Sequence, residues 1–171
     1  MSPIFVWIFI LKTMKLKKLL LVEDNQDDEI LTRRAIEKYS GFGCIDVAND
    51  GVDALAYLSI DVGLSSHSSN IKNSHPLPDL ILLDLKMPRL NGHEFIKHVR
   101  GNLATAHIPI IVLTTSSEQS DIALSYQLGA NSFLRKPVNF LDFSKVIKQL
   151  SRYWLELNIP ASQLSEVKLS L

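Results

Sequence analysis

Five short apolar runs, each ending at polar or charged residues and each followed by an amphipathic stretch, constrain this chain more than any other feature. Leu19-Leu20-Leu21-Val22 stops at Glu23-Asp24-Asn25, and Cys44-Ile45-Asp46-Val47-Ala48 at the turn Asn49-Asp50-Gly51. Leu80-Ile81-Leu82-Leu83 stops at Asp84, Ile108 to Leu113 at Thr114-Thr115-Ser116, and Ala130 to Leu134 just before Lys136-Pro137. Short runs of this kind are expected of strands covered on both faces. Between them the periodicity predicts helices. The first opens at the acids Asp27 and Asp28, turns Ile30, Leu31, Ala35 and Ile36 inward, and ends at Gly41 to Gly43. The second runs from Val52 to Ile60 with Leu55 and Leu58 inward, and the third from about Gly92 to Arg100 on Phe95, Ile96 and Val99. Glu118 to Leu128 is the fourth, and Phe140 to about Leu157 the fifth, with Phe143, Val146, Ile147, Leu150 and Trp154 as its inward stripe. Strands alternating with helices predict an α/β, doubly wound, five-stranded parallel sheet with five helices.

At 171 residues the chain suits one domain with short appendages. We place the domain at 17–157, a leader at 1–16 with Met14 as an alternative start, and a tail at 158–171. The apolar stretch Ile4 to Leu11 is too short to span a bilayer, and its lysines follow it where a signal peptide would carry them in front. No membrane association is expected. Residues 61–75, polar and aperiodic, predict an exposed loop inserted in the domain. Eighteen Lys+Arg balance eighteen Asp+Glu, so no global field recruits nucleic acid, and the tail is too short for a helix-turn-helix. Direct DNA binding is therefore not expected. The single cysteine, Cys44, excludes an internal disulfide and points to a reducing, cytoplasmic setting.

In a doubly wound sheet the functional crevice lies beyond the carboxyl ends of the strands. The residues that follow those ends are Glu23 and Asp24, Asp84, Thr114 and Lys136. Each has an ordinary explanation alone, as cap, turn former or solvated charge, but together they bring three carboxylates, a hydroxyl and an amine to one edge. Neighbouring strands lie about 4.8 Å apart, so these carboxylates crowd to a separation that calls for a cation. All-oxygen donors favour magnesium, and the five histidines show no zinc-ligand spacing. A carboxylate beside magnesium, flanked by a lysine and a hydroxyl, is equipped to accept a phosphoryl group. Asp84 is the candidate nucleophile, with Lys136 and Thr114 directed at the phosphoryl oxygens.

These residues sit in blocks that resemble the receiver domains of two-component response regulators: Leu19 to Asn25 (LLLVEDN), Leu80 to Gly92 (LILLDLKMPRLNG), Ile111 to Thr115 (IVLTT) and Phe133 to Pro137 (FLRKP). The likeness spans roughly 17–151, with 30 residues from Asp84 to Thr114 and 22 more to Lys136. It implies a flavodoxin-like fold of strand order 2-1-3-4-5, Asp84 as phosphoacceptor, Glu23 and Asp24 as magnesium acids, a metal-facing carbonyl at Lys86, and a cis bond between Lys136 and Pro137. It also implies that Thr114 and the ring at 133 form a switch. Two positions depart from the commoner pattern. Glu23 stands where many members have aspartate, and Phe133 where many have tyrosine, so its ring has no phenolic hydrogen bond to report. The chain is further similar to single-domain regulators that partner cyanobacterial phytochrome histidine kinases, through Thr114 to Glu118, Asn131 to Phe140 and the tail Tyr153-Trp154-Leu155-Glu156-Leu157.

The resemblance implies a switch phosphorylated by a sensor histidine kinase, not an enzyme beyond self-phosphorylation and slow dephosphorylation. It passes its message to another protein or to a second copy as a homodimer. Two alternatives stand beside it. A magnesium-dependent phosphatase with an aspartate nucleophile would want an acid two residues later, where this chain has Lys86. A binding module independent of phosphorylation would not need Asp84, Thr114 and Lys136 together.

Overall fold

The computed structural model describes residues 17–39, 42–61 and 76–159. The leader, most of the 61–75 loop and nearly all of the tail lie outside the described residues. Five parallel strands, β1 (Lys17–Val22), β2 (Phe42–Ala48), β3 (Leu80–Leu83), β4 (Ile110–Thr114) and β5 (Ser132–Arg135), form one sheet in the order β2-β1-β3-β4-β5. The helices are α1 (Gln26–Tyr39), α2 (Gly51–Tyr57), α3 (Gly92–Gly101), α4 (Gln119–Gln127) and α5 (Phe140–Arg152). A π-helical turn, Tyr153–Leu157, continues α5. Among the described residues no helix is long and apolar enough to cross a membrane.

Alternation along the central strands builds two cores. Leu20, Val22, Ile81, Leu83 and Val112 face the layer holding Leu55, Phe95, Ile96 and Val99. Leu19, Leu21, Leu80, Leu82, Ile111 and Leu113 face Ile36, Phe143, Ile147 and Leu150 on α1 and α5. The central strands β1, β3 and β4 are thus covered on both sides, which is why their sequences show no polar alternation.

Several boundaries shift for local reasons. β4 begins at Ile110 because Ile108 N–H is spent on Thr105 O and Pro109 has no N–H to give. β5 begins at Ser132 because Ala130 N–H closes the end of α4 on Ser125 O. On α1 the inward face is Thr32, Ala35 and Ile36, while Ile30 and Leu31, expected inside, are substantially exposed. Thr32, Ala35 and Ile36 share one i, i+3, i+4 stripe, and the β-branched threonine completes it in place of the two larger residues. At the other end, Trp154 packs on the core as its spacing predicts, but Leu157 does not. Asn158 N–H bonds Tyr153 O, an i to i+5 contact that widens the turn and rotates the chain out of the stripe. Lys17 Nζ donates to Trp154 O at 2.6 Å and ties this turn to the first strand.

Gly92 joins fold to site. A Cβ there would stand 2.5 Å from Asp84 O and 2.8 Å from Leu85 Cα, so α3 approaches the end of β3 only because position 92 lacks a side chain. Gly92→Ala is expected to destabilise the domain by about 1–3 kcal/mol in urea unfolding. Gly101→Ala, where nothing lies within 4 Å, should be neutral or slightly stabilising.

Candidate functional site

The strand ends form the site as continuations of the sheet ladder. Glu23 N–H bonds Ala48 O at 3.0 Å, Asp84 N–H bonds Val22 O at 3.0 Å, and Lys136 N–H bonds Thr114 O at 2.7 Å. Glu23, Asp84 and Lys136 are therefore each held by one further rung beyond the end of a strand. Thr114 is the last residue of β4 and fully buried; its Oγ1 accepts from Ser116 N–H at 3.3 Å.

Glu23, Asp24 and Asp84 each offer a carboxylate oxygen, and these oxygens lie within 4.8 Å of one another. Glu23 and Asp84 are buried whereas Asp24 faces solvent. Asp84 Oδ1 is buried without a hydrogen-bond partner, a state that an incoming cation or proton donor relieves. Oxygen-only donors, one of them open to water, fit a hard divalent ion that retains part of its hydration shell. Lys86 lies two residues beyond Asp84 in the β3 to α3 loop with its side chain exposed. The loop is pinned from both sides. Arg89 bonds Asp50 and reaches Asp53 at 2.8 Å, and Asn91 and Glu94 form a capping box at the start of α3. Arg89 adopts φ +61°, an uncommon backbone state held by this double carboxylate contact.

Lys136 crosses the site. Its Nζ is 2.6 Å from Glu23 Oε2, 2.8 Å from Asp28 Oδ2 and 4.0 Å from Asp84 Oδ1. Among the described residues every peptide bond is trans, including Lys136–Pro137, which corrects the cis bond that the resemblance implies. The rung to Thr114 O and the two ion pairs direct the lysine inward without it. Phe133 pairs with Val112 in the register of β5 and packs, partly buried, against the core of the α2 and α3 side.

Asp28 is the site residue that the sequence reading missed; there it served only to open a helix. The available signal was its place in the first turn of a helix that begins two residues after Asp24, which confines it to the same sheet edge. Asn25 Oδ1 caps that helix by accepting from Asp27 and Asp28 N–H.

Burial pushes the Glu23 carboxyl up to about 7; Lys136 opposes the shift and Asp84 adds to it. Lys136 is raised above the ordinary lysine value: burial pulls it down, but Asp84, Asp28 and Glu23 together outweigh that.

Comparison with known proteins decides the family. The response regulator receiver domain profile matches residues 19–148. The chain belongs to this family. It is 35% identical over 140 residues to the probable methanogenesis regulatory protein FilR2 of Methanothrix harundinacea, covering 82% of this chain and 84% of that protein. It is 33% identical over 147 residues to response regulator Rcp1 of Synechocystis, covering 85% of this chain and 95% of Rcp1. The Mn2+-bound form of Rcp1 superposes with a TM-score of 0.73 at 32% identity, over 84% of this chain and 98% of Rcp1. The phosphorylated cyanobacterial phytochrome response regulator RcpA does so with 0.75 at 31% identity, over 85% and 98%. The flavodoxin-like receiver fold with order 2-1-3-4-5 is the one expected.

The raised Glu23 sets a pH dependence. Its folded value lies above the ordinary 4.5, so its protonation favours the folded, metal-free domain below that value, and this contribution is lost as pH rises through about 7. A divalent ion that uses this carboxylate would have to displace that proton. Apparent magnesium affinity is therefore expected to fall by up to about tenfold per pH unit below 7 and to level off above it, measured by titration calorimetry at pH 6, 7 and 8.

Proposed function

We propose that this receiver takes a phosphoryl group from a sensor histidine kinase onto Asp84 and passes the signal on by protein contact. The carrying observation is the buried, unpartnered Asp84 Oδ1 at the end of a central strand, 4.0 Å from Lys136 and within reach of the acidic pair. In the transfer the kinase's phosphohistidine N–P bond breaks and an O–P bond to Asp84 forms, leaving the imidazole to take up a proton. Asp84 is the acceptor because it is the carboxylate that Lys136 faces without bonding it. Lys136 and Thr114 receive the phosphoryl oxygens by charge and by hydrogen bond. Glu23, Asp24, Asp84 and the carbonyl of Lys86 would hold magnesium, which when bound neutralises charge between the carboxylates and the phosphoryl group. Such a domain is a phosphoacceptor switch of the cytoplasm, not a turnover enzyme.

Asp84→Asn is expected to reduce phosphorylation by acetyl phosphate and magnesium to background, read as hydroxylamine-labile phosphate, with unchanged circular dichroism. Lys136→Ala and Thr114→Ala should retain part of the labelling yet lose the conformational response that their oxygen contacts stabilise. Rapid turnover of acetyl phosphate by the wild type with no acyl phosphate accumulating would favour the phosphatase reading, and neither labelling nor turnover the binding module.

The kinase we propose is of the phytochrome class, because the similar RcpA is a phytochrome response regulator. The proposed output surface is α4, β5 and α5 engaged with a second copy. β5 is an edge strand, and Leu124 and Tyr126 on α4 and Tyr153 and Leu157 after α5 expose large apolar side chains. Thr114 ends the strand beside β5, and Phe133 lies within it, so a threonine drawn toward a phosphoryl group makes room for the ring next to that surface. Sedimentation should show a dimer favoured by beryllofluoride and magnesium, and a monomer in both states at high micromolar concentration would remove the dimer.

A further inference from the structure

Lys136 has three N–H groups, and two of them are directed at carboxylates other than the acceptor: Glu23 at 2.6 Å and Asp28 at 2.8 Å, with Asp84 left at 4.0 Å. An oxygen of a phosphoryl group carried on Asp84 can meet the third N–H, but the ammonium's charge is already divided between two carboxylates. The two differ in what a bound metal does for them. Glu23 belongs to the cluster of metal-binding oxygens, so a divalent ion takes over part of its neutralisation. Asp28 is 34% exposed, at the mouth of a cavity of about 60 Å3 that it shares with Leu31, Thr32, Pro137 and Phe140, and water can replace the lysine there.

We infer that Asp28 is a positioning residue that draws the charge of Lys136 away from Asp84 and thereby limits how tightly the domain holds a phosphoryl group. This rests on the phosphoacceptor reading above. Unlike Glu23, Asp28 adds negative charge beside the lysine but outside the cluster of metal-binding oxygens, so a bound divalent ion does not take over its neutralisation. An interaction present in one state and weakened in the other shifts the balance between them by its differential strength.

The test is binding of beryllofluoride in saturating magnesium to the full chain, by titration calorimetry. Asp28→Asn should bind about three- to fivefold more tightly than wild type, the size expected for release of a partly exposed ion pair. Asp28→Ser, which also keeps a polar first turn, should gain similarly. Asp28→Glu, which restores a carboxylate for the lysine, should return to within about twofold of wild type. Asp27→Asn removes the same charge from the same helical turn without touching the lysine and should also stay within about twofold. Unchanged or weaker binding in Asp28→Asn overturns the inference, as does an equal gain in Asp27→Asn. A wild-type chain that takes no beryllofluoride overturns the phosphoacceptor reading itself, a result distinct from a wild type that binds and an Asp28→Asn that gains nothing.

Discussion

One ammonium group among crowded carboxylates governs the functional edge of this domain. Parallel strands end side by side, and here they end in Glu23, Asp24 and Asp84, with Asp28 added from the first turn of α1. Like charges at this spacing repel, and burial denies Glu23 and Asp84 the water that would screen them. Lys136 offsets part of that repulsion by bridging Glu23 and Asp28. The remainder appears as a raised Glu23 and an unpartnered Asp84 oxygen. The edge is thus left short of positive charge, and that deficit is what gives it affinity for a cation.

The sheet supplies the stability that such an edge lacks. Glu23, Asp84 and Lys136 are each held by one more backbone rung to the neighbouring strand, to Ala48, Val22 and Thr114, so their backbone positions are set by the ladder. The β3 to α3 loop receives separate support from Arg89 on Asp50 and Asp53, from the Asn91 and Glu94 box, and from the close approach that Gly92 permits. Asp50 serves twice: it also caps α2 by accepting from Val52 and Asp53 N–H, which couples that helix to the loop carrying Asp84.

The strands and the residues at their ends were legible in the sequence because both follow from local pattern. A run such as Leu80 to Leu83 has no polar alternation because it is covered twice, and whatever follows it in a parallel sheet lands at the same edge as its neighbours. Relations that depend on how elements pack were not legible. Periodicity alone does not choose between Leu31 and Thr32 for the inner face of α1, since the two differ by 100° about the axis and the winner is set by the space beside α5. It does not place Asp28 against a lysine more than a hundred residues away. The turn that carries Leu157 outward after Trp154 is a backbone event at the helix end, invisible to a stripe of apolar residues.

Attachment is uneven around the sheet, and this asymmetry orders the parts of the domain by how readily they respond. α3 buries Phe95, Ile96 and Val99 completely and is capped at both carboxyl and amide levels, whereas α4 buries only Ser125. What holds α4 at its start is polar: Ser116 Oγ donates to Asp121 Oδ2 at 2.5 Å, and Ser125 Oγ donates to Asp121 O while meeting His93 Nε2 at 3.1 Å. Ser116 is in turn bonded through its N–H to Thr114 Oγ1. A displacement of the threonine hydroxyl therefore acts first on Ser116, then on the first turn of a helix with little apolar burial to resist it. The same displacement at α3 would have to disturb a packed core. The lightly held helix next to an edge strand is where a change at the strand ends reaches the surface with the least work.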